Sequence, residues 1–434
     1  MKQTLRVGLV GFGMIGKAHA YCYATLPYYA PNLEVTGKIV GVAASTPETS
    51  RRAQETIGCD WSTDNYLELI NSPEIDVVHI CTPNALHLDA LLAAIDANKH
   101  VYCEKPIVAD AREAAVLRDA LAKCGPDGDR LYRGVTATAF HMRGFTAIRR
   151  AKELIDAGRL GQIIQYRLGY YHTSMLSPTT PFRWKHDLKS GSILDLASHL
   201  LDLVDYLVGL PAELLAQSTT LSPTRPVRAL QPGETLADVE TRDVLAEDSV
   251  TLITRGLDAQ ASAKSIPNIP TDRIFEHPNN TAFETDPSRM PLAVGDPDDG
   301  AAITGVIEGT KLFAGTEDEL RLEICGTRGA LRFNLMDPHY LEFFDATIPS
   351  GVHGGDSGWT RIACGARYET PECEFPSPKA TVGWLRAHVS SLAMFYRSIA
   401  DGRSYGADFE QALRIQDALD VVKRSAMTRN WLKL

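Results

Sequence analysis

Short apolar runs alternate with helix-like stretches over the first 140 residues of the chain. The strand-like runs LRVGLVG, KIVGVAA, DVVHICTP, HVYCEKP and RLYRGVTATAF are separated by segments whose apolar residues recur at helical spacing, such as ALHLDALLAAIDANK. Strands that alternate with helices pair in parallel, and the helices cover both faces of the sheet. The pattern therefore predicts an α/β fold whose first domain, residues 1–140, is a doubly wound parallel sheet of five strands.

The pattern changes after residue 140. Two helical patterns, TAIRRAKELIDAGRLG and SGSILDLASHLLDLVDYLVG, flank a long strand-like run, QIIQYRLGYYHT, and the runs SVTLITRG, AQASAKSI, LRLEICGT and GALRFNL follow. This order predicts a second, α+β domain over residues 141–434 with a large, mainly antiparallel open sheet. The last residues, about 385–434, have the pattern of helices, which we expect to pack back toward the first domain.

Two stretches of the second domain show neither the helical nor the strand-like pattern of apolar residues. Residues 221–243 and 266–300 are rich in Pro, Asp, Asn and Thr, and they are predicted to be long loops. Loops of this length are usually functional lids or poorly ordered segments.

Composition and charge narrow the class of protein. The chain has 434 residues, 44% of them hydrophobic and 23% charged, which is enough for two globular domains. The formal net charge of −10 argues against a nucleic-acid partner, and no apolar run is long enough to indicate a membrane partner. The first residues pass directly into a strand-like run without a signal-peptide pattern, and the eight cysteines form no CxxC pair. We therefore expect a cytoplasmic protein with free thiols and no metal site.

A glycine-rich loop joins the first strand to the first helix. Its residues are Gly11, Phe12, Gly13, Met14, Ile15 and Gly16. The three glycines permit a tight turn, close approach of the backbone to a pyrophosphate, and close packing of helix on strand. The pyrophosphate then lies at the N-terminus of the helix. Because the loop follows the first strand of a βαβ unit, it predicts an NAD(P)-binding Rossmann domain.

The end of the second strand bears on the choice between NAD and NADP. Ala44 stands where an acidic residue would bind the ribose hydroxyls of NAD, and Ser45 and Thr46 follow it. Their hydroxyls and the guanidinium of Arg51 or Arg52 suit a 2′-phosphate, which favours NADP slightly. The alternative is that the two arginines form an ordinary solvated face of a helix.

Two further segments carry more specific motifs. The first contains Thr82, Pro83, Asn84 and His87, and then Glu104, Lys105 and Pro106, and the second is WKHDLKSGSILDLASHLLD, residues 184–202. Both resemble the Gfo/Idh/MocA family of oxidoreductases, which includes sugar and inositol dehydrogenases. The resemblance covers residues 5–210 and continues more loosely to the C-terminus. An insertion around LPYYAPNLEVTG loosely resembles the levoglucosan dehydrogenase branch of this family, which implies a pyranoside or anhydrosugar substrate.

The resemblance implies a cofactor site and a catalytic group. It places Thr82, Pro83, Asn84, His87 and Glu104 at the cofactor. It places Lys105 beside the nicotinamide and the reacting hydroxyl, with a cis bond to Pro106.

Asp195 and His199 complete the catalytic group that the resemblance implies. Their four-residue spacing on a helix puts both on one face. A neutral imidazole at His199 can take the hydroxyl proton while Asp195 orients the substrate.

The substrate end departs from the family pattern. The run Phe140-His141-Met142-Arg143 and Ser192 stand where relatives carry other residues, so the substrate is not carried over. His141, Arg143, Trp184 and Lys185, together with Asp195 and His199, are predicted to line the sugar pocket. Trp184 is equally well explained as a core aromatic.

These observations predict a dehydrogenase that transfers a hydride between NAD(P) and a secondary hydroxyl of a sugar, glycoside or cyclitol. Two alternatives share the fold: a glycoside hydrolase that uses NAD transiently, and a sensor that binds the dinucleotide without turnover. The presence of Lys105 and His199 favours an enzyme over a sensor. We also expect a homodimer or homotetramer, by analogy with the family and because an open sheet would otherwise expose an apolar layer.

Overall fold

Six strands in the described part of the chain form one parallel sheet. The structure is a computed structural model that describes residues 2–124, 132–257, 303–348, 351, 354–365, 375, 377 and 380–434. The strands are β1 (Gln3–Val10), β2 (Val35–Ala43), β3 (Trp61–Thr63), β4 (Val77–Ile80), β5 (His100–Cys103) and β6 (Thr136–Thr138). They lie in the order β3-β2-β1-β4-β5-β6. The order reverses between β1 and β4, the point where ligands of such sheets bind at the carboxyl ends of the strands.

The helices of this first domain connect successive strands. They are α1 (Met14–Tyr29), α2 (Pro47–Ile57), α3 (Tyr66–Asn71), α4 (His87–Asp96) and α5 (Ala111–Ala122). The predicted doubly wound parallel sheet is confirmed, but the predicted number of strands is wrong, because β3 and α3 were missed. The three residues of β3 are all half-buried, so they show no alternation of polar and apolar positions.

Nine further strands form a second, mixed sheet. In chain order the second domain contains β7 (Ile163–Tyr171), β8 (Glu213–Thr219), β9 (Thr224–Pro226), β10 (Thr241–Asp243), β11 (Ser249–Arg255), β12 (Thr304–Thr310), β13 (Glu319–Gly326), β14 (Gly329–Asn334), β15 (Tyr340–Asp345), β16 (Trp359–Ala363) and β17 (Leu432–Lys433). The sheet order is β16-β15-β14-β13-β7-β12-β11-β8-β17, while β9 and β10 form a separate ribbon. Strands β7 and β12 pair in parallel and the other described pairs are antiparallel. The predicted mainly antiparallel sheet is confirmed.

The outer face of this second sheet is charged. Along β13, buried Leu322 and Ile324 alternate with outward Arg321 and Glu323, and Arg332 of β14 also points outward. Along these two strands the outer face therefore lacks the apolar layer that the sequence analysis expects, whereas Ile253 of β11 and Trp359 of β16 are exposed. Period-two alternation has placed charged side chains on the outer face and kept the apolar ones for the core.

Four further helices join the two domains; three of them pack against the second sheet and one lies on the first domain. They are α6 (Thr146–Asp156), α7 (Ser198–Leu207), α8 (Trp384–Asp401) and α9 (Phe409–Thr428). Helix α8 lies on the first domain, where the Ser391 hydroxyl is hydrogen-bonded to that of Tyr102 of β5 (2.7 Å). The backbone NH of Thr138 in β6 donates to the carbonyl of Ala407 between α8 and α9 (2.7 Å). No helix among the described residues has the length and apolarity needed to cross a membrane.

The two predicted loops have different outcomes. Residues 221–243 contain β9, β10 and a short 3-10 turn at Leu236–Asp238, so the prediction of a structureless loop is wrong in part. Segment 266–300 and the predicted strand AQASAKSI lie outside the described residues.

Candidate active site

A cavity of about 1160 Å³ runs from the carboxyl edge of the parallel sheet to the inner face of the second sheet. One end is formed by the glycine-rich loop and the residues after β2 and β4. The other end is formed by residues from β5, α7, α8 and the second sheet. We call these the loop end and the lysine end.

The loop end is shaped by backbone. Gly11 has a φ of +94°, and a Cβ there would lie 2.8 Å from the carbonyl oxygen of Cys81. A Cβ at Gly16 would overlap the carbonyl oxygen of Gly11, whereas a Cβ at Gly13 would meet nothing within 4 Å. Gly13 is also the N-cap of α1 and supplies no side-chain cap. The uncapped amides at the start of this helix therefore face the cavity, an arrangement that fits the pyrophosphate of a dinucleotide.

The residues after β2 divide between the cavity and the surface. Ala44 and Ser45 line the cavity, as predicted. Thr46 does not, because its hydroxyl accepts a hydrogen bond from the backbone NH of Thr49 and caps α2.

The two arginines of α2 also point in different directions. Arg52 lines the cavity, whereas Arg51 is exposed beside Glu48 (3.9 Å). Neighbouring residues on a helix point about 100° apart. Arg52, and not the predicted Arg51, therefore faces the cavity. Asp64 also lines this end and was missed, because it follows the unpredicted strand β3.

The turn after β4 lines the middle of the cavity. Thr82, Pro83 and Asn84 face it, and the Asn84 side chain donates to the carbonyl of Lys189 (2.8 Å). His87 lies behind this turn, fully buried. Its ring nitrogens are hydrogen-bonded to the carbonyls of Thr82 (2.9 Å) and Pro106 (3.0 Å). His87 therefore holds two turns together and does not line the cavity as predicted for a cofactor contact.

The turn after β5 carries Glu104 and Lys105 into the cavity. The Lys105–Pro106 bond is cis, as predicted. Glu104 is hydrogen-bonded to His19 Nε2 (2.7 Å), and it also accepts from the backbone NH of Lys105 (3.1 Å). Lys105 Nζ donates to the backbone carbonyl of Asp195 (2.8 Å) and to its carboxylate (3.1 Å).

Three lysines surround the carboxylate of Asp195. Lys105 contacts Oδ1, while Nζ of Lys185 (3.0 Å) and Nζ of Lys311 (3.1 Å) contact Oδ2. Burial alone would raise the pKa of Asp195, but Lys311, Lys105 and Lys185 outweigh it and hold that pKa well below its usual range. The carboxylate is therefore ionised at neutral pH.

The third lysine, Lys311, was missed by the sequence analysis. It follows β12 directly, no motif marks it, and its side chain is only 3% exposed. Burial lowers the pKa of Lys311, although the charge of Asp195 opposes this. The predicted helix around Asp195 also differs from the structure, which has a π-helical turn at Ile193–Ala197 before α7. Such turns are frequent at functional sites.

His199 lies in the first turn of α7 and faces the cavity with Asp195. Its side chain is buried, and burial lowers its pKa well below the usual value, assisted by the positive charge of Lys105. The imidazole is therefore neutral at neutral pH. In the described part of the chain its Nδ1 has no hydrogen-bond partner.

The remaining walls of the lysine end are aromatic and polar. His141 is stacked on His388 of α8, with ring centroids 3.7 Å apart, and Trp384 lies against both rings. On the opposite wall, the hydroxyl of Tyr170 donates to Asp318 (2.7 Å), and His172 is paired with the same carboxylate (3.0 Å). His141, Trp184 and Lys185 were predicted. Tyr170, His172, Asp318, Trp384 and His388 were missed, although strand alternation does place Tyr170 and His172 on one face.

Arg143 lies outside the cavity. Its guanidinium is buried and donates two hydrogen bonds to the carboxylate of Asp202 (3.0 and 2.6 Å) and one to Gln411. A buried guanidinium needs a paired carboxylate, and Asp202 supplies it. The prediction that Arg143 contacts substrate is therefore corrected. Ser192 also faces away, and its hydroxyl donates to the carbonyl of Asp248 (2.7 Å).

Comparison with known proteins agrees with this geometry. A family model described as the oxidoreductase family with an NAD-binding Rossmann fold, GFO/IDH/MocA, matches residues 5–126. The model of the GFO/IDH/MocA C-terminal domain matches residues 148–262. Together they cover more than half of the 434 residues.

Individual relatives are dehydrogenases. The chain is 29% identical over 436 aligned residues to levoglucosan dehydrogenase of Pseudarthrobacter phenanthrenivorans, covering 99% of this chain and 98% of that protein. It is also 29% identical over 220 residues to the NADP⁺-dependent scyllo-inositol 2-dehydrogenase of Bacillus subtilis, covering 49% of this chain and 54% of that protein. A solved structure of levoglucosan dehydrogenase with NADH and levoglucosan superposes with a TM-score of 0.80 at 26% identity, covering 99% of each chain.

Proposed function

Since the chain belongs to the Gfo/Idh/MocA family and is an NAD(P)-dependent sugar oxidoreductase, we propose that it transfers a hydride between the nicotinamide and a secondary hydroxyl of a cyclic sugar, glycoside or cyclitol. The observation that carries this proposal is the position of Lys105, Asp195 and His199. All three line the same cavity as the glycine-rich loop.

His199 is the proposed proton acceptor during oxidation. Its imidazole is neutral and buried, so it accepts the proton of the substrate hydroxyl as the hydride leaves the same carbon. A bound nicotinamide supplies the hydride acceptor. Lys105 donates a hydrogen bond to the same oxygen and stabilises the negative charge that develops there. In the reverse direction His199 returns the proton.

Asp195 holds the lysine in position. Its backbone carbonyl and Oδ1 accept two hydrogen bonds from Lys105 Nζ, which leaves the third donor of the ammonium for substrate. Its other oxygen is occupied by Lys185 and Lys311. The carboxylate of Asp195 therefore orients Lys105, while Lys185 and Lys311 keep this carboxylate ionised.

The walls of the lysine end suit a ring with several hydroxyl groups. Trp184 and Trp384 offer aromatic faces for the C–H surfaces of a pyranose. The carboxylate of Asp318, the imidazole of His172 and the ammonium of Lys185 accept from or donate to hydroxyls. This supports a pyranoside or anhydrosugar substrate, the class to which the named substrate of the similar levoglucosan dehydrogenase belongs.

The cofactor at the loop end is proposed to be NADP at least as readily as NAD. Ala44 leaves no carboxylate after β2 to repel a 2′-phosphate, and the hydroxyl of Ser45 and the guanidinium of Arg52 supply donors. Asp64 lines the same end and opposes this preference through its negative charge.

The protein is also proposed to be a homodimer or homotetramer. The outer face of the second sheet carries rows of Arg and Glu, and such a face can pair with a second copy of itself through complementary charges. Light scattering should give a multiple of the 47.5 kDa chain mass that falls with added salt. A monomeric mass at low salt contradicts this.

The direct test of function is a panel of pyranoses, anhydrosugars and cyclitols incubated with NAD⁺ or NADP⁺. We expect net formation of reduced nicotinamide with at least one pyranose-type substrate, and a rate roughly 10²–10⁴-fold lower with the His199→Ala variant. Release of a free sugar from a glycoside without net reduction would favour the transient-NAD hydrolase. Tight cofactor binding without turnover on any member of the panel would favour a sensor.

A further inference from the structure

Three side chains of types that can ligate a metal lie together beneath the glycine-rich loop. It consists of His19 of α1, His79 of β4 and Cys81, which follows β4. The two imidazoles are fully buried and Cys81 is 4% exposed. One donor atom from each residue lies within 4.8 Å of the other two. The proposed reaction uses none of the three.

In each imidazole one ring nitrogen is hydrogen-bonded, and the other has no hydrogen-bond partner among the described residues. His19 Nε2 is hydrogen-bonded to the carboxylate of Glu104 (2.7 Å), and His79 Nδ1 to the hydroxyl of Tyr23 (3.0 Å). Across the residues the structure describes, His19 Nδ1 and His79 Nε2 have no hydrogen-bond partner. The two rings are adjacent, with centroids 4.4 Å apart. Imidazoles that bind a metal are oriented in this way, by a carboxylate or other polar group on the nitrogen opposite the ion.

We propose that His19, His79 and Cys81 bind a single divalent transition-metal ion of the Zn²⁺ type, with a structural role. Two imidazole nitrogens and one thiolate form the mixed nitrogen and sulfur set that zinc prefers. Metal–nitrogen bonds of about 2.0 Å and a metal–sulfur bond of about 2.3 Å require the three donors to close in by roughly 1 Å. On binding, Cys81 forms a sulfur–metal bond and releases its thiol proton to solvent.

A neighbouring set of donors is a weaker candidate. His19, Glu104 and His388 also offer three atoms within 4.8 Å of one another. In that set, His19 Nε2 and Glu104 already satisfy each other through their hydrogen bond, and the other oxygen of Glu104 accepts from the backbone of Lys105. The ion at the proposed site instead leaves this hydrogen bond in place, where it orients His19.

The position of the site indicates what the ion does. Its ligands join α1 to β4 directly below the loop that approaches the pyrophosphate. Tyr23, the partner of His79, is itself hydrogen-bonded to Tyr396 of α8 (3.3 Å). The ion therefore ties the loop end of the cavity to helix α8. Cys81 lines the cavity and gives the ion a route of entry.

Cobalt supplies the test because Co²⁺ replaces Zn²⁺ and reports its ligands spectroscopically. Protein freed of metal with a chelator is titrated with Co²⁺, and then Zn²⁺ is added as a competitor. We expect one equivalent of Co²⁺ to bind with a thiolate-to-cobalt charge-transfer band that Zn²⁺ abolishes. We also expect Zn²⁺ to raise the thermal unfolding midpoint, because binding to the folded state stabilises it.

Variants locate the site. Cys81→Ala and His79→Phe should remove the band and the thermal shift. Cys103→Ala should leave both unchanged, because Cys103 is an equally buried thiol on the neighbouring strand β5 and lies outside the cluster. Should either site variant fail to fold, zinc protection of Cys81 in the wild-type protein, read by alkylation and peptide mapping, decides the question. Absence of binding, a cobalt spectrum without the thiolate band, or a band retained in Cys81→Ala overturns the proposal.

Discussion

The two ends of the cavity are built in different ways. At the loop end, residues 11–15 line the cavity largely through their backbone, and the charged side chains of Arg52 and Asp64 lie beside them. At the lysine end, side chains converge from β5, the π-helical turn, α7, α8 and the second sheet, and three lysines share one carboxylate. A local motif thus forms the first end, whereas the second end exists only when the whole chain is folded.

This difference separates binding from chemistry. Backbone amides at a helix N-terminus can hold a pyrophosphate whatever the substrate is. In the proposed function, the lysine end determines which hydroxyl is presented and where its proton goes. Changes at one end should therefore leave the function of the other end measurable, and the following predictions depend on that separation.

The largest effect is expected at His199. His199→Ala removes the proton acceptor and should lower turnover by roughly 10²–10⁴-fold, the range for a lost acid–base group. Lys105→Ala should fall in the same range. Steady-state kinetics measures this, and fluorescence titration with reduced cofactor should show unchanged affinity. His339→Ala, at a histidine outside the cavity, is the control. Near-normal turnover in both site variants contradicts the assignment.

The corresponding change at the loop end is Gly13→Val. The protein itself leaves room for this side chain, so the variant should fold, but its methyl groups enter the space assigned to the pyrophosphate. We expect cofactor affinity to fall by about a hundredfold, or about 2.7 kcal/mol. If titration shows wild-type affinity, the loop has only a structural role.

A smaller effect is expected from Lys311, which acts through Asp195. Lys311→Met should lower kcat by roughly 10–100-fold, equivalent to about 1.4–2.7 kcal/mol, with little change in KM for the cofactor. Because Lys311 helps to keep Asp195 ionised, the acid limb of the pH–rate profile should also move to higher pH. Lys423→Met, at a half-buried lysine outside the cavity, should change neither quantity. A lower kcat with an unmoved pH profile would indicate a purely structural role.

The preference between NAD and NADP tests the proposed role of Arg52 in α2. Arg52→Ala should lower kcat/KM for NADP by about tenfold, the value of one charge-assisted hydrogen bond, and leave the value for NAD unchanged. Arg51→Ala is a closely matched control, because its side chain is exposed and points away from the cavity. Equal losses in the two variants would mean that only general surface charge matters.

The smallest expected effect concerns pH: the oxidation rate should not change as the pH falls through the usual pKa of histidine. Burial and the charge of Lys105 hold the pKa of His199 well below 6.5, so the imidazole stays in its accepting, neutral form as the pH falls through that value. The oxidation rate should therefore be constant between pH 7.5 and about 6, and decline only at lower pH. A half-maximal rate near pH 6.5 in folded protein would show that His199 titrates as an exposed histidine does.

Sequence analysis was most successful where neighbours along the chain are also neighbours in space. The glycine-rich loop and the turn at Lys105 both follow buried strands, so their positions were predictable. Lys311 was missed because no feature of the neighbouring sequence distinguishes a buried lysine at the end of a strand from an ordinary surface lysine. Only the pairing of β12 with β7 brings it to Asp195.

Wrong predictions of where a side chain points have a related origin. Arg51 and Arg52 are equivalent in sequence, and only the rotation of α2 selects between them. Arg143 stands two residues after His141, yet the carboxylate of Asp202 draws it into the core. The π-helical turn at Ile193–Ala197 changes the helical periodicity within a run whose pattern is that of an uninterrupted α-helix.

Helix α8 limits how this protein can be recombined with its relatives. It belongs to the last part of the chain, yet Trp384 and His388 form a wall of the cavity while Ser391 and Tyr396 are fixed to β5 and α1 of the first domain. A chimera that exchanges residues 1–140 as a unit would therefore place a foreign surface against α8. An exchange that preserves these contacts would have to carry α8, encoded near the opposite end of the gene, together with the cofactor domain.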